Sequence, residues 1–588
     1  MTLKNLEINI KGSSAPFENG LFGVNAEITR KGFFGGLCAE LLNNRKLFSG
    51  ADAPSGWECS GYEYVKDKPE LSLCGSSFVL LDDGRLSQMS DVISTGGGVY
   101  TARVWVKALS AATVTFGLSG YEKSFELEED GEPYRLPSFD FECGKVRGGT
   151  FSVSVCGRAY VFETSLMAKD NFYGMRRDVI EALKYVRPSS VRFPGGCAAD
   201  HFQWKESLKA PEFRKPVGAG DKWFLFRDTY DQDCLDIGIN EFMMLCRELD
   251  AEPEYTVSLL LSDADDAYRL VQYCNGEADT EYGAKRQALG FDKFGVRYWY
   301  IGNEVYFFGG KYKDDAVLAA KKTAELTKAV RRADPSAVPV MGLTWAEGFK
   351  QWNYDFVSAL DCGYGYVSYH NYIGILPDET QGENGMATKE MLEGNFADGD
   401  DAGLDFYKNG LYKDSFDKIN VFADEWNYTW GRDSSNALFF SNALQFHFFA
   451  KSGEKYHIRR AQFFMPVNEG MITVNGGSVR VESTGELFRL MRGHENGVLL
   501  YCDADPSADV LCTYHGDHVF ISVVNRGGEP LDVSVRGYTI TGSDQIVTDG
   551  YGFDCNGFTV VGGDTVLMGH SVMFIKAERM QDNEKSTS

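Results

Sequence analysis

The 588-residue chain carries no CxxC pair among its 13 cysteines and no HExxH among its 8 histidines. Scattered, odd-numbered cysteines fit reduced thiols rather than a disulfide framework. Without clustered histidines there is no zinc-ligand spacing, so the expectation is no catalytic metal and no cofactor. No apolar run approaches the length of a membrane span. The opening MTLKNLEINIKG has no basic n-region followed by an apolar h-region. The expectation is therefore a chain without a secretory leader, placed in the cytoplasm. Positive charge is also short: the formal net charge is −25, which argues against nucleic acid or an anionic membrane surface as partner. Aromatic residues are plentiful instead, at 14%, enough for a large core.

Eight strand-like runs recur through the middle of the chain. They are Gly23 to Ile28, Val191 to Gly196, Glu254 to Leu259, Arg297 to Glu304, Val338 to Trp345, Tyr366 to Tyr372, Asn420 to Trp426 and Ala461 to Val467. Each is nearly continuous in apolar residues and finishes in polar ones, as parallel strands buried on both faces do. Helical periodicity fills the gaps, as in Arg177 to Val186, Asn240 to Leu249 and Asp314 to Ala333, the last stopped by Pro335. This alternation predicts a (β/α)8 barrel with its active site at the C-terminal strand ends. An open doubly wound sheet is the alternative, but no GxGxxG follows the first strand.

Two regions alternate with period two instead. YTARVWVKA and FSVSVCG lie between the first and second barrel runs, and HVFISVVNR, LDVSVRGY and SVMFIKA lie near the end. Such half-buried strands predict one β-sandwich inserted in the barrel and another after it. The expected division is residues 1–16 as a strand joining the C-terminal sandwich and 17–49 as the first barrel segment. The inserted sandwich then takes 50–168, the rest of the barrel 169–490 and the C-terminal sandwich 491–577, with 578–588 as a disordered tail.

Two runs end in a carboxylate: RYWYIGNE at Glu304 and VFADEW at Glu425. A lone strand-end glutamate is usually a cap or surface ion pair. On a barrel these two close the fourth and seventh strands and meet at one mouth. Hydrolysis of a glycosidic bond with retention needs one carboxyl as proton donor and another as nucleophile. Asn303, beside the first, is placed to bond a sugar hydroxyl, and Trp426, after the second, to offer a stacking face.

The chain resembles glycoside hydrolase family 51, the α-L-arabinofuranosidase family. The likeness runs through FGVNAEITRKGFFGGLCAELLNNR, MRRDVIEALKYVRPSSVRFPGGC, WKESLKAPEFRKP, LVQYCNG, YWYIGNE, SYHNY and FADEWN. IGNE and DEW are shared by related barrels; VRFPGGC and GGLCAELLNNR are more specific. The resemblance implies Glu304 as acid/base and Glu425 as nucleophile, Asn303 as the 2-hydroxyl ligand and Glu27 as a ligand of furanose hydroxyls. It also implies Cys197 near the sugar, Tyr372 beside the nucleophile, and Gln462 as a sugar-binding glutamine on the last strand. Other readings stand beside these. Glu27 can be an ion-pair partner of Arg192, Cys197 can be packing, and His370 reads as structural. Trp204 and Trp345 can fill the barrel rim, and Trp430 leans to a cleft role. Arg30, the Ala198-Ala199-Asp200 run and the long acidic stretch 376–405 depart from the family pattern. The stretch 376–405 would serve as a lid over the mouth or be a solvated insertion.

The implied activity is a retaining, exo-acting release of terminal arabinofuranose from oligosaccharides of arabinan or arabinoxylan; members of the family often form homo-oligomers. The rivals are another glycosidase on the same scaffold (endo-β-glucanase, β-xylosidase or galactofuranosidase) and a non-catalytic glycan-binding protein.

Overall fold

The computed structural model describes residues 3–580 except 30, 91–97, 130–133, 143–147, 219–231, 345, 373–401, 551 and 553. Arg30, Trp345, most of the 376–405 stretch and residues 581–588 of the tail therefore lie outside the described residues.

Eight parallel strands close into a barrel. They are β1 (Gly23–Asn25), β2 (Ser190–Phe193), β3 (Glu252–Val257), β4 (Tyr298–Ile301), β5 (Val338–Met341), β6 (Tyr366–Tyr372), β7 (Asn420–Asn427) and β8 (Ile458–Phe463). Closure comes from β8 against β1, with Gly23 opposite Gln462 and Val24 opposite Phe463. The strands are buried almost throughout, which is why their sequences run apolar without alternation. The eight runs of the sequence are these eight strands, in the same order.

Helices cover the outside. The helix Ala316–Ala333 is capped by Asp315, whose side chain accepts from the Leu318 amide. Its buried positions include Ala316, Ala319, Thr323, Leu326 and Val330, the spacing the sequence shows. The helix Asn436–Ser452 has no such stripe, because nearly every residue is buried. It lies between the barrel and the C-terminal sheet: Trp426 of β7 packs on Phe449, while His447 bonds Asp509 at 2.6 Å and Ser522 at 2.7 Å. A helix covered on both sides reads as apolar all round, so periodicity does not reveal it.

Between β1 and β2 the chain makes a sheet-rich unit from Glu58 to Ala168, built of antiparallel pairs. In Val99–Ala108 the buried positions are Tyr100, Ala102, Val104, Val106 and Ala108, and the intervening side chains are partly exposed. That unit has its own core, including Leu81, Phe116, Phe151 and Val161. The strand Lys4–Pro16 crosses to the other end of the chain. It pairs antiparallel with Val498–Asp503 and parallel with Leu531–Val535, inside the sheet-rich C-terminal domain.

Candidate active site

The mouth of the barrel is organised from β4 and β7. After Ile301 the chain turns through Gly302, at φ 82°, and Asn303 to Glu304, which is left-handed at φ 41° and ψ 43°. A non-glycine residue keeps that conformation only where its surroundings hold it. Here the Glu304 carbonyl caps a short helix by accepting from the amides of Phe307 and Phe308, both at 2.8 Å. Its carboxyl is one-fifth exposed and lies 2.8 Å from His370 Nδ1.

β7 carries one extra residue. Against β6 the pairing steps from Ser368–Phe422 to His370–Glu425, two residues on one strand and three on the other. Against β8 it steps from Ala423–Ala461 to Trp426–Phe463, again three against two. Such a bulge re-aims side chains that simple alternation would send to opposite faces. Asp424 and Glu425 both meet Arg192, Asp424 at 3.5 Å and Glu425 at 3.0 Å. Trp426 is turned outward, fully buried against Phe449, Phe463 and Phe488.

Two cations sit among these acids. Arg192, from β2, is buried over the Tyr300 ring and also donates to Asn303 Oδ1 at 2.7 Å. His370, from β6, reaches Glu304 and Glu425 through Nδ1, at 2.8 and 3.4 Å, and Asp424 through Nε2 at 3.5 Å. Burial works against charge on His370. The negative charges of Glu425 and Asp424 outweigh it and hold the imidazole well above the ordinary histidine range. Burial and the charges of Glu304 and Asp424 push Glu425 up, while His370 and Arg192 pull it back. Asp424 is also buried, but Arg192 and His370 keep it below the ordinary carboxylate range. Ser368 Oγ donates to it at 2.6 Å.

Oxygens of Glu304 and Glu425 and a ring nitrogen of His370 all lie within 4.8 Å of one another, the one such group among the described residues. This is also the spacing of a cation site. Arg192, 3.0 Å from Glu425, already supplies positive charge there.

Glu27 follows β1, and its Oε2 accepts from the Gly196 amide. Arg192 puts its ion pairs on Asp424 and Glu425. Cys197 Sγ lies 3.7 Å from Asn303 Nδ2 and 4.0 Å from Glu304 Oε2. Tyr372 donates to Glu425 Oε2 at 3.0 Å. Burial, then the charge on Glu425, raises its hydroxyl well above the ordinary tyrosine range, so it remains a donor. Trp430, 41% exposed, packs edge-on against Tyr372 with ring centroids 5.1 Å apart. Thus Glu27, Cys197, Asn303, Glu304, Tyr372, Glu425 and Trp430 converge.

Two sequence-expected residues do not join them. Trp426 offers no stacking face, because the bulge gives the inward position to Glu425 and leaves the indole in the layer between barrel and helices. Gln462 is fully buried, opposite Gly23 on β1 and between the partners of Ala423 and Trp426 on β7, and its amide donates to Glu254 Oε2 at 2.9 Å rather than to a group of the site. Trp204 is buried as well, with its indole N–H on Asp266 at 3.0 Å. Arg192, His370, Asp424 and Gly196 were not expected in the site. Of these, His370 was the most legible, since SYHNY puts it two residues before Tyr372 on the same strand face.

Residues 182–372 match the family model described as an alpha-L-arabinofuranosidase 1 domain. The chain resembles glycoside hydrolase family 51, as its motifs imply. Among curated relatives, the probable alpha-L-arabinofuranosidase C of Aspergillus terreus is 30% identical over 185 residues, 31% of this chain and 34% of the relative. The intracellular exo-alpha-(1->5)-L-arabinofuranosidase of Acetivibrio thermocellus is 28% identical over 285 residues, 47% of this chain and 53% of the relative. The chain thus spans about a third to a half of the curated relatives it matches. The fold extends further. A GH51 arabinofuranosidase from Xanthomonas axonopodis pv. citri superposes with TM-score 0.64 and 15% identity over 98% of this chain and all of that one. The alpha-L-arabinofuranosidase of Thermotoga maritima, in its arabinose complex, gives 0.62 at 15% identity over the same shares.

Two outcomes test this geometry. A Cβ on Gly196 would overlap Glu425 Oε1 and stand 2.8 Å from Glu27 Oε2. Gly196→Ala is therefore expected to keep its circular dichroism and melting temperature within a few degrees while losing turnover by at least about 10²-fold; full turnover would refute the crowding. Trp426→Ala is expected to cost about 3–5 kcal/mol in denaturant unfolding. A large rise in KM with unchanged stability would return Trp426 to the substrate.

Proposed function

We propose that the chain is a retaining, exo-acting α-L-arabinofuranosidase that works in the cytoplasm on arabinan- or arabinoxylan-derived oligosaccharides. The observation that carries the reading is the pair Glu304 and Glu425, with oxygens no more than 4.8 Å apart across one mouth. Retaining glycosidases hold their carboxyls about 5–5.5 Å apart, whereas inverting ones leave about 6.5–9.5 Å for a water. The arabinofuranosidase domain match supports the sugar. The name of the Acetivibrio thermocellus relative, an intracellular exo-acting enzyme, supports the mode and the compartment.

In the first step Glu425 attacks the anomeric carbon. The bond from that carbon to the leaving oxygen breaks, and Glu304 gives the oxygen its proton. In the second step water attacks the same carbon, Glu304 takes the water's proton, and Glu425 departs as carboxylate. Arg192 and Tyr372 hold Glu425 in its attacking geometry and stabilise its charge before attack and on departure. His370 stays bonded to Glu304 as that residue alternates between acid and base. Asn303, fixed by Arg192, faces the 2-hydroxyl, and Glu27, fixed by the Gly196 amide, takes other furanose hydroxyls.

A panel of aryl glycosides, arabinofuranoside first, tests this directly. Release of another sugar with no arabinose would overturn the sugar assignment. Glu425→Ala is expected to lose turnover of every substrate. Glu304→Ala is expected to lose about 10²–10⁴-fold in kcat/KM on alkyl leaving groups and far less at glycosylation of good aryl ones. Equal losses on both would remove Glu304 from the acid role.

A further inference from the structure

Barrel interiors are ordinarily filled by branched apolar side chains. This one also encloses a carboxylate that the site above does not use. Glu254, from β3, is fully buried. It accepts from the Tyr300 hydroxyl at 2.5 Å, from Arg460 Nη1 at 2.5 Å and from the Gln462 amide at 2.9 Å. Arg460 and Gln462 belong to β8, which does not neighbour β3 in the barrel. The three side chains therefore meet inside it. A buried carboxylate is tolerable only when paired in this way.

Tyr300, from β4, is the link to the site. Its hydroxyl is tied to Glu254, and its ring face carries the Arg192 guanidinium, whose carbon lies 4.5 Å from the ring centroid. Arg192 comes from β2, again not a neighbour of β4. Burial, then the charges of Glu254 and Asp424, hold the phenol well above its ordinary range, so Tyr300 stays a donor. Donation to a carboxylate makes the ring more electron-rich, and an electron-rich face holds a cation more strongly. On its other side Arg192 reaches Glu425 at 3.0 Å and Asn303 at 2.7 Å. A displaced guanidinium would carry both groups with it, and small misplacements of reacting groups are costly.

We infer that Tyr300 is a positioning residue for the reaction: anchored by Glu254, it is the plate against which Arg192 is set to hold Glu425 for attack. This rests on the glycosidase reading of the preceding subsection.

The test measures kcat, KM and the pH dependence of kcat/KM on an aryl α-L-arabinofuranoside, beside melting temperature. Tyr300→Leu, which removes the ring, is expected to lower kcat about ten- to thirtyfold with KM within about twofold. Tyr300→Phe, which keeps the ring and loses the anchor, is expected to lower it about three- to tenfold. In both, the acid limb moves to higher pH. Arg192 pulls the proton affinity of Glu425 down, and a guanidinium that drifts away pulls less. The other groups around Glu425, namely Glu304, Asp424, His370, Tyr372 and Glu27, are unchanged. Val340→Ala, in the same apolar cluster as Tyr300, is the packing control and is expected to lower the melting temperature without moving the limb. A wild type that releases no arabinose overturns the sugar reading and this inference with it. With an active wild type, an unmoved acid limb in Tyr300→Phe overturns this inference alone, whether or not the melting temperature falls. So does a limb that moves equally in Val340→Ala, since packing alone would then account for it.

Discussion

One extra residue in β7 turns two successive carboxylates, Asp424 and Glu425, onto the same guanidinium, where a regularly pleated strand would present only one inward. Both are buried, and a buried carboxylate is tolerable only when paired. The pairing is supplied from neighbouring strands by Arg192 and His370. Because each cation touches both acids, the ion pairs set the positions of the groups as well as their charge. Arg192 extends the network to Asn303 and His370 to Glu304. Four strands, β2, β4, β6 and β7, are thereby tied together at one level of the barrel.

The electrostatics follow from this arrangement. Breaking a buried ion pair by removing one partner typically costs about 3–5 kcal/mol, so the network is coupled to stability as well as to chemistry. Within it the two acids of β7 differ. Asp424 has its proton demand met by Arg192, His370 and Ser368 and stays ionised. Glu425 feels the same cations, but its burial, and then the charges of Glu304 and Asp424, raise it. Gly196 adds a steric condition, since the space that a side chain there would fill is occupied by Glu425 and Glu27.

Much of this was legible in the sequence. Parallel strands buried on both faces give unbroken apolar runs, so all eight barrel strands stood out. A carboxylate ending such a run is conspicuous, so Glu304 and Glu425 stood out too. What stayed hidden depends on register and level. Trp426 looked like a stacking face because DEW does not announce a bulge; the extra residue exists only as a mismatch with β6 and β8. Gln462 lies on the right strand but gives its amide N–H to Glu254, a partner that sequence spacing does not reveal. An ion pair with Arg192 was the alternative to a sugar-binding Glu27; the sequence gives no sign that Arg192 reaches across the barrel to Asp424 and Glu425. The helix Asn436–Ser452 has no periodicity to read because both its sides are covered.

The central claim is that Glu425 attacks the sugar while Glu304 moves the proton, giving two displacements at one carbon. The anomer released first reports on this most directly. Proton NMR of an aryl α-L-arabinofuranoside during the first turnovers, before mutarotation, should show α-arabinofuranose, the configuration of the substrate. First appearance of the β-anomer would mean a single displacement by water and would contradict the account.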